Sequence, residues 1–443
     1  MYWIYSALLA LALFVTLPYW LLQRARHGKY RAGLRERMGE VPARLIAAGS
    51  KPVIWVHAVS LGEVLAVSGL IEELRSQYAE YRIVVSTTTD TGQKLARKRF
   101  GEENVFYFPL DFPFAIRPYL ERLQPKVIII AETEIWPNFL RLAKQSGTRI
   151  AMVNARISDQ SWRGYQRVGF LLKRVLADID VFVTQTEQDR DRLVKIGAAA
   201  DRIQVSGNLK FDLALPPAPP IVASLRQAFT TAAASPIIVC GSTVDDEEPL
   251  LLQTFDNILA SYPRAVMILA PRHPERFAEV TSLVEQLGIR TWRRSLWNGE
   301  PIAGGVFLLD SIGELASVYG LADVAFVGGS LVPRGGHNII EPARHGVAIV
   351  VGNHTENFRD IVGLFQSRNA VRVVGPAEFP LVLMELISNP AERTALGRRA
   401  AETLQSQTGA TERTIAAISV LLNNPDLPPA LPTAPVAGME QRL

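Results

Sequence analysis

The chain has 443 residues, of which 48% are hydrophobic and 20% charged; this is a normal globular composition, and the length exceeds one ordinary domain. Cys240 is the only cysteine, which excludes an intramolecular disulfide and a cysteine-only metal cluster. The net charge is +4, but residues 24–37 alone carry six basic side chains against one glutamate. The rest of the chain is close to neutral, so a nucleic-acid-binding surface spread over the protein is excluded.

The first predicted element is an apolar helix. Residues 2–22 carry no charge and have aromatic residues at both ends. This stretch is long enough for a helix to cross ~30 Å of hydrocarbon. A signal peptide is the alternative, but there the positive charge precedes the apolar run, whereas here it follows and no A-x-A site is present. We therefore predict a single-pass transmembrane anchor over residues 1–23, with the basic segment near anionic headgroups and the remaining chain in the cytoplasm.

From residue 52 onward, short β-rich runs alternate with helical spacing such as Val67, Leu70, Ile71 and Leu74. The first set of runs lies at 52–58, 82–89, 104–110, 126–133, 149–155 and 181–186, and the second at 236–242, 265–272, 306–311, 323–330 and 348–353. Four prolines in residues 213–222 predict a stiff linker between the two sets. We predict an α/β fold of two doubly wound Rossmann-like domains, 24–212 and 223–423, facing a cleft, with a disordered tail at 424–443.

Polar clusters in the first set of runs follow strand ends. HAVSLGE, residues 57–63, places Glu63 in the first turn of a helix, where it is either a general base or a carboxylate favoured only by the helix dipole. AETEIWPN, residues 131–138, places Glu132 and Glu134 after an apolar run, and one of them would serve acceptor binding or transition-state stabilisation. SGNLKFD, residues 206–212, contributes Lys210, which either meets a phosphate or sugar carboxylate or is simply solvated.

The second set has its own clusters. GST at 241–243 opens a helix and is either an anion site or an N-cap, and Arg272 with His273 could hold a phosphate or stack on a base. The strongest cluster is GGSLVPRGGHNIIEPARHG, residues 328–346, whose glycines allow close backbone approach and in which Glu341 can accept hydrogen bonds from ribose hydroxyls. None of the six histidines has metal-ligand spacing, so the sequence gives little support for a catalytic metal.

Together with the anchor, a series of motifs resembles the 3-deoxy-D-manno-octulosonic acid (Kdo) transferases of lipopolysaccharide assembly, which have the GT-B architecture. The motifs are HAVSLGE, AETEIWPN, VNARIS, SGNLK, PRHPERF, DSIGEL and GGSLVPRGGHNIIEPA, and the resemblance covers essentially the whole chain. It implies a metal-independent, inverting transfer of Kdo from CMP-Kdo, without a cofactor, to the tetraacyl lipid A precursor (lipid IVA) at the cytoplasmic face of a bacterial inner membrane.

The resemblance also implies roles for individual residues. Glu63 would be the general base, and Glu132 and Lys210 would stabilise the transition state. CMP would be held by Arg272, His273, Ile312, Gly313, Glu314, Asn338, Ile339, Ile340 and Glu341. Ile312 stands where methionine is more usual, with little consequence if its backbone makes the contact. Two alternatives stay open: a GT-B enzyme that uses a UDP-sugar on a lipid, and a membrane-tethered binding protein that has lost catalysis.

Overall fold

The structure is a computed structural model and describes residues 1–27, 33–47, 49, 51–213 and 218–423, without the side chains of residues 17–27. The chain divides into two compact units. The first comprises Met1–Leu213 together with the chain from Thr408 onward, and the second comprises Ala214–Gln407. The predicted disordered tail, residues 28–32 of the basic segment, and part of the predicted linker lie outside the described residues.

The first unit is built on a seven-stranded parallel sheet of order β3-β2-β1-β4-β5-β6-β7. Its strands are β1 Val53–His57, β2 Arg82–Thr87, β3 Val105–Tyr107, β4 Pro125–Ala131, β5 Arg149–Ala155, β6 Val181–Thr184 and β7 Ile203–Val205. Its helices are α1 Tyr2–His27, α2 Leu34–Arg37, α3 Ala43–Ala47, α4 Leu61–Gln77, α5 Asp90–Phe100, α6 Pro113–Leu123, α7 Pro137–Gln145, α8 Asp159–Leu176, α9 Glu187–Lys195 and α18 Ala410–Asn423.

The second unit repeats this plan with a parallel sheet of order β10-β11-β9-β8-β12-β13-β14. Its strands are β8 Ile237–Thr243, β9 Val266–Pro271, β10 Thr291–Arg293, β11 Gly305–Leu308, β12 Val324–Val327, β13 Ala348–Gly352 and β14 Arg372–Val374. Its helices are α10 Pro220–Thr231, α11 Glu248–Ser261, α12 Phe277–Gln286, α13 Leu315–Val318, α14 Ile340–Arg344, α15 Arg359–Ser367, α16 Phe379–Ser388 and α17 Pro390–Gln405.

Burial on both faces explains why the central strands read as continuous apolar runs. Every residue of β1 is buried, as is every residue of β4 except Lys126. One face of the first sheet packs around Trp55 and Phe139, and the other packs against Val64, Val67 and their neighbours on α4. Helices on both faces of a parallel sheet require this pattern. The predicted α/β fold class is therefore present in each unit.

The last helix belongs to a different unit from the one predicted. We assigned residues 223–423 to the second domain, but the chain from Thr408 onward lies in the first unit. The Asp212 carboxylate accepts hydrogen bonds from the backbone N–H groups of Gly409 and Thr411. Ala410, Ile415, Ala417 and Ile418 of α18 are buried in the core that contains β1 and α4. The apolar face of α18 is thus buried in the core of the first unit, which explains why the chain returns to that unit.

The N-terminal helix α1 is present as predicted, and its first turns lie on the first unit. The Tyr2 hydroxyl donates to Asp178 at 3.4 Å, and the Asn138 amide donates to the Ser6 hydroxyl at 3.0 Å. The Arg141 guanidinium lies 4.4 Å from the centre of the Tyr2 ring. As a transmembrane span the helix is not supported, since within the described residues no helix is long and apolar enough to cross a bilayer.

Candidate active site

The strand order of the first unit changes direction between β1 and β4, because the chain runs outward from β1 through β2 and β3 on one side and from β4 to β7 on the other. The loops after these two strands diverge, which leaves a crevice at the carboxyl edge of the sheet, where ligands bind in folds of this type. Glu63 follows β1, and Glu132 and Glu134 follow β4. The predicted catalytic carboxylates therefore belong to the two strands that border this crevice.

Glu63 is held by the residues that begin α4. Its carboxylate accepts hydrogen bonds from the Val59 N–H at 2.7 Å and from the Ser60 hydroxyl at 2.8 Å, while Ser60 Oγ accepts from the Glu63 N–H at 3.4 Å. This is a reciprocal cap of the helix. Only 8% of Glu63 is exposed, and burial raises its pKa to about 6, with the charge of Glu132 adding to the rise. The geometry of a helix cap and the electrostatics suited to a base are thus combined in one side chain.

Glu132 and Glu134 complete a group of three interacting carboxylates. Glu132 has a left-handed backbone conformation, with φ of 58°, and its N–H donates to the Val153 carbonyl at 2.9 Å. Such a conformation is strained for a residue with a side chain and is often retained at functional sites. Burial raises the pKa of Glu134 to about 7, helped by the charges of Glu63 and Glu132. Glu63 and Glu134, whose pKa values are raised toward neutrality, can exchange protons near physiological pH.

Lys210 lies in the same unit but follows β7 rather than β1 or β4. It lies in a 3-10 turn, Leu209–Asp212, that follows the edge strand β7 but packs back against α4, and Leu209 is buried in the core beside that helix. Asn154 at the end of β5 accepts a hydrogen bond from the Leu209 N–H at 3.1 Å. The Asn208 amide donates to Gln185, after β6, at 2.9 Å. The turn that carries Lys210 is therefore fixed by polar residues at the ends of two neighbouring strands.

In the second unit the predicted nucleotide residues follow four adjacent strands. Arg272 and His273 follow β9, residues 312–314 follow β11, Asn338–Glu341 follow β12, and the GST motif ends β8. The strands are parallel, so these residues share the carboxyl edge of the sheet. His337 has its pKa lowered to about 4 by burial and by the nearby charges of Arg272 and His273. The structure thus brings the segments after β9 and β12 together.

The Asn338–Glu341 segment is ordered by its own side chains. The Asn338 amide donates to Glu341 at 3.3 Å, and its oxygen accepts from the Ile340 N–H at 3.1 Å. Burial raises the pKa of Glu341, whereas the Asn338 amide and the charge of Arg272 oppose that rise. Ile339 and Ile340 are buried. Asn338 therefore supports the segment, and Glu341 lies close to Arg272, the basic residue predicted to meet the nucleotide.

Residues 312–314 differ in how accessible they are to a ligand. Ile312 is 70% exposed and the backbone of Gly313 is open, with a φ of 94°. The Glu314 carboxylate, in contrast, is paired with Arg294 through two hydrogen bonds of 3.1 Å and accepts another from the Ser311 hydroxyl. A ligand could therefore reach the backbone of this turn directly, whereas the Glu314 side chain already has partners.

Sequence reasoning missed several residues that shape these sites. Asn154, Gln185 and Asn208 order the Lys210 turn, and the buried Glu247 accepts four backbone hydrogen bonds in the second unit. The sequence contained part of this information, because VNARIS contains Asn154 and the acidic run DDEE after GST contains Glu247. Among the described residues no group of three or more His, Cys, Asp or Glu side chains could hold a metal ion.

The two parallel-sheet α/β units resemble those of GT-B glycosyltransferases. The crystal structure of a glycosyltransferase from Rickettsia africae matches 85% of this chain and 100% of that chain with a TM-score of 0.53, at 14% sequence identity, which shows the fold alone. A family model described as 3-deoxy-D-manno-octulosonic-acid transferase (kdotransferase) matches residues 32–213.

Relatives of the same description match over nearly the whole chain. A 3-deoxy-D-manno-octulosonic acid transferase from Bordetella pertussis is 35% identical over 419 residues, which is 90% of this chain and 94% of the relative. Another from Haemophilus influenzae is 32% identical over 416 residues, which is 92% of this chain and 96% of the relative. The chain belongs to the Kdo transferase family of glycosyltransferases.

Proposed function

We propose that this member of the family transfers Kdo from CMP-Kdo to lipid IVA with inversion at the anomeric carbon and without a metal ion. The observation that carries the proposal is Glu63, a nearly buried carboxylate at the crevice of the first sheet whose pKa is raised to about 6. A carboxylate with this pKa is ionised at neutral pH and is still a stronger base than an exposed glutamate. It is therefore suited to take a proton from a sugar hydroxyl.

The reaction is a single displacement. As an acceptor hydroxyl loses its proton to Glu63, its oxygen forms a bond to the anomeric carbon of Kdo. The bond from that carbon to the CMP phosphate breaks at the same time, and its electron pair leaves with the phosphate oxygen. One displacement from the opposite face inverts the anomeric centre, and no sugar–enzyme bond is formed.

Two kinds of charge develop in this transition state, and both have candidate partners. The sugar ring gains oxocarbenium character, which the Glu132 carboxylate would stabilise. The departing CMP phosphate gains negative charge, which Lys210 would stabilise, and Arg272 with the 338–341 segment would bind the nucleotide. Positively charged side chains can supply the electrostatic stabilisation that a metal ion provides in other transferases.

The test is transfer by the purified protein. Wild-type protein is incubated with CMP-Kdo and detergent-solubilised lipid IVA, and the product is analysed by mass spectrometry and by the anomeric configuration in NMR spectra. We expect the acceptor mass to increase by Kdo residues with inverted configuration, and we expect CMP, but not UDP, to inhibit. Transfer from a UDP-sugar, with inhibition by UDP, would instead support the alternative GT-B function.

For the membrane, we propose that α1 anchors the protein to the inner face of the inner membrane by lying along the bilayer surface. The polar residues Tyr2 and Ser6 face the first unit, through the contacts with Asp178 and Asn138. Away from the first unit, α1 exposes six large apolar side chains, each 59–87% exposed: Trp3, Ile4, Leu8, Leu11, Phe14 and Val15. A helix with its apolar face turned outward is suited to the headgroup and acyl boundary of a membrane. This arrangement keeps residues 2–6 on the same side of the membrane as the first unit.

Two measurements test this arrangement. Replacing Leu8 and Leu11 by Gln should release the protein from anionic vesicles in flotation experiments, whereas the inward-facing control Ser6→Ala should remain bound. In intact cells, Trp3→Cys should not react with a thiol reagent that cannot cross the inner membrane. Labelling of that cysteine from the periplasm would support the single-pass span predicted from the sequence and would overturn the surface arrangement.

A further inference from the structure

Glu247 is a fully buried carboxylate in the second unit, and the transfer reaction proposed above does not use it. It precedes α11, but its side chain does not cap that helix. Both carboxylate oxygens instead accept two backbone hydrogen bonds each. Oε2 accepts from Val244 at 3.1 Å and Gly329 at 2.8 Å, and Oε1 accepts from Ser330 at 2.9 Å and Leu331 at 3.0 Å.

These hydrogen bonds join the loops on the two sides of the crevice in the second sheet. The strand order changes direction between β8 and β12, Val244 follows β8, and residues 329–331 follow β12. The two loops are in close contact, since a Cβ atom on Gly328 would lie 2.6 Å from the Ser242 carbonyl oxygen and 2.8 Å from Glu247 Oε2. Glu247 therefore connects two chain segments that would otherwise separate at this point.

The same contacts extend to the residues predicted to bind CMP. The Gly336 N–H donates to the Gly329 carbonyl at 2.7 Å, so fixing Gly329 also fixes the end of the glycine-rich loop. A Cβ atom on Gly329 would lie 2.8 Å from the His337 ring, and His337 is influenced by the charge of Arg272. Asn338 follows directly in the chain. Glu247 is therefore linked, through Gly329, to the start of the 338–341 segment.

We propose that Glu247 is a positioning residue for the donor nucleotide, which holds the glycine-rich loop, residues 328–337, in the conformation that binds CMP. The inference rests on the proposed donor and on its binding to the second unit. Preorganised loops bind more tightly because the cost of ordering them is not incurred on binding. A carboxylate is required because only a side chain with two acceptor oxygens satisfies four converging N–H donors.

The test compares Glu247→Gln with a matched variant, Glu248→Gln. In Glu247→Gln one acceptor oxygen becomes an NH2 group that faces two backbone donors, so two of the four backbone hydrogen bonds to this side chain are lost. Glu248 is also fully buried, but its carboxylate binds Arg276 at 2.7 Å instead of the loop amides. CMP affinity is measured by calorimetry, and the KM values of CMP-Kdo and the lipid acceptor are measured separately, all at a temperature where the variants are folded.

We expect Glu247→Gln to weaken CMP binding and raise the KM of CMP-Kdo by about ten- to a hundredfold, with the KM of the lipid acceptor nearly unchanged. Glu248→Gln should lower the melting temperature but leave CMP affinity close to the wild-type value. If CMP binds Glu247→Gln within about twofold of wild type, the positioning role is wrong while the donor assignment stands.

The other outcomes are also decisive. If the wild-type protein does not bind CMP, the proposed donor is wrong and the inference fails with it. If Glu247→Gln does not fold, the same measurements are made on Glu247→Asp, which keeps both oxygens and the charge but is one methylene shorter. Weaker CMP binding by that variant with an unchanged acceptor KM supports the inference, and wild-type affinity overturns it.

Discussion

Replacing Glu63 by Gln should slow turnover by at least about a hundredfold and at the same time stabilise the fold. The variant keeps the size of the side chain and one acceptor oxygen for the Val59 N–H, and its NH2 group can donate to the Ser60 hydroxyl oxygen. It removes the lone pair that would take the acceptor proton. General bases contribute about 10²- to 10⁴-fold to rate. We expect turnover to fall by that factor, with CMP affinity unchanged because the predicted nucleotide residues belong to the second unit.

The gain in stability follows from the raised pKa of Glu63. Burial raises this pKa from its ordinary 4.5 to about 6, so the ionised carboxylate is less favourable in the folded protein than in the unfolded chain. At 1.36 kcal/mol for each tenfold change in the ionisation constant, this corresponds to about 2 kcal/mol at neutral pH. Below pH 4.5 Glu63 is protonated in both the folded and the unfolded states, and the folded protein keeps its full stability. The free energy of unfolding then falls by this amount as the pH rises through about 6. Glutamine resembles the protonated form and escapes this loss.

Melting curves of wild type and Glu63→Gln at several pH values, together with turnover, form the assay. The two proteins should melt together below pH 4.5, and the variant should melt ~4–8 °C higher above pH 6, for a unit of about 200 residues. The control Thr186→Ala removes the side-chain cap of α9 and should lose about 1 kcal/mol while keeping normal turnover. A Glu63→Gln variant that retains more than about a tenth of turnover refutes the role as base. One that melts below wild type at pH 7.5 refutes the electrostatic argument and supports a purely capping role.

Three further outcomes are expected. Wild-type turnover should fall as the pH drops below about 6, because Glu63 is then protonated, and a rate that stays constant down to pH 5 would contradict this. EDTA should leave transfer intact, and loss of activity that magnesium restores would show that the leaving phosphate depends on a metal ion. Deleting the chain from Thr408 onward should lower the melting temperature and solubility of the first unit, since α18 buries Ile415 and Ile418 in its core; unchanged melting of the first unit would contradict the observed boundary.

The central strands of both units could be predicted from the sequence because their burial on both faces produces long apolar runs. β1 and β5 of the first unit and β9 and β13 of the second lie within predicted runs, and β4 and β8 each extend one residue beyond theirs. The edge strands β7, β10 and β14 have only three residues each and were missed. The edge strand β3 is equally short but lies inside the apolar run 104–110, whereas these three strands are not part of a long uninterrupted apolar run. Their pairing depends on a neighbour distant in the sequence.

The return of α18 could not be predicted for a related reason. Its apolar spacing indicates a helix with one buried face but does not say which sheet covers that face. Local order in the sequence favoured the second unit, which the chain has just left. The contacts that place α18 in the first unit join Asp212 to Gly409 and Arg413 to Ser206, residues about 200 positions apart.

Glu63 shows why local pattern alone could not separate a structural from a catalytic carboxylate. The motif Ser60-Leu-Gly-Glu63 predicts a helix cap, and the structure contains that cap. A cap at the solvent-exposed start of a helix would keep an ordinary pKa, whereas Glu63 is enclosed by the residues around β1 and lies near the charge of Glu132, which comes from another strand. The hydrogen bonds that fix the carboxylate are therefore local, and the environment that raises its basicity is tertiary. If Glu63 is the base that we propose, the helix cap also holds it in place, and the cost is the lower stability that Glu63→Gln should recover.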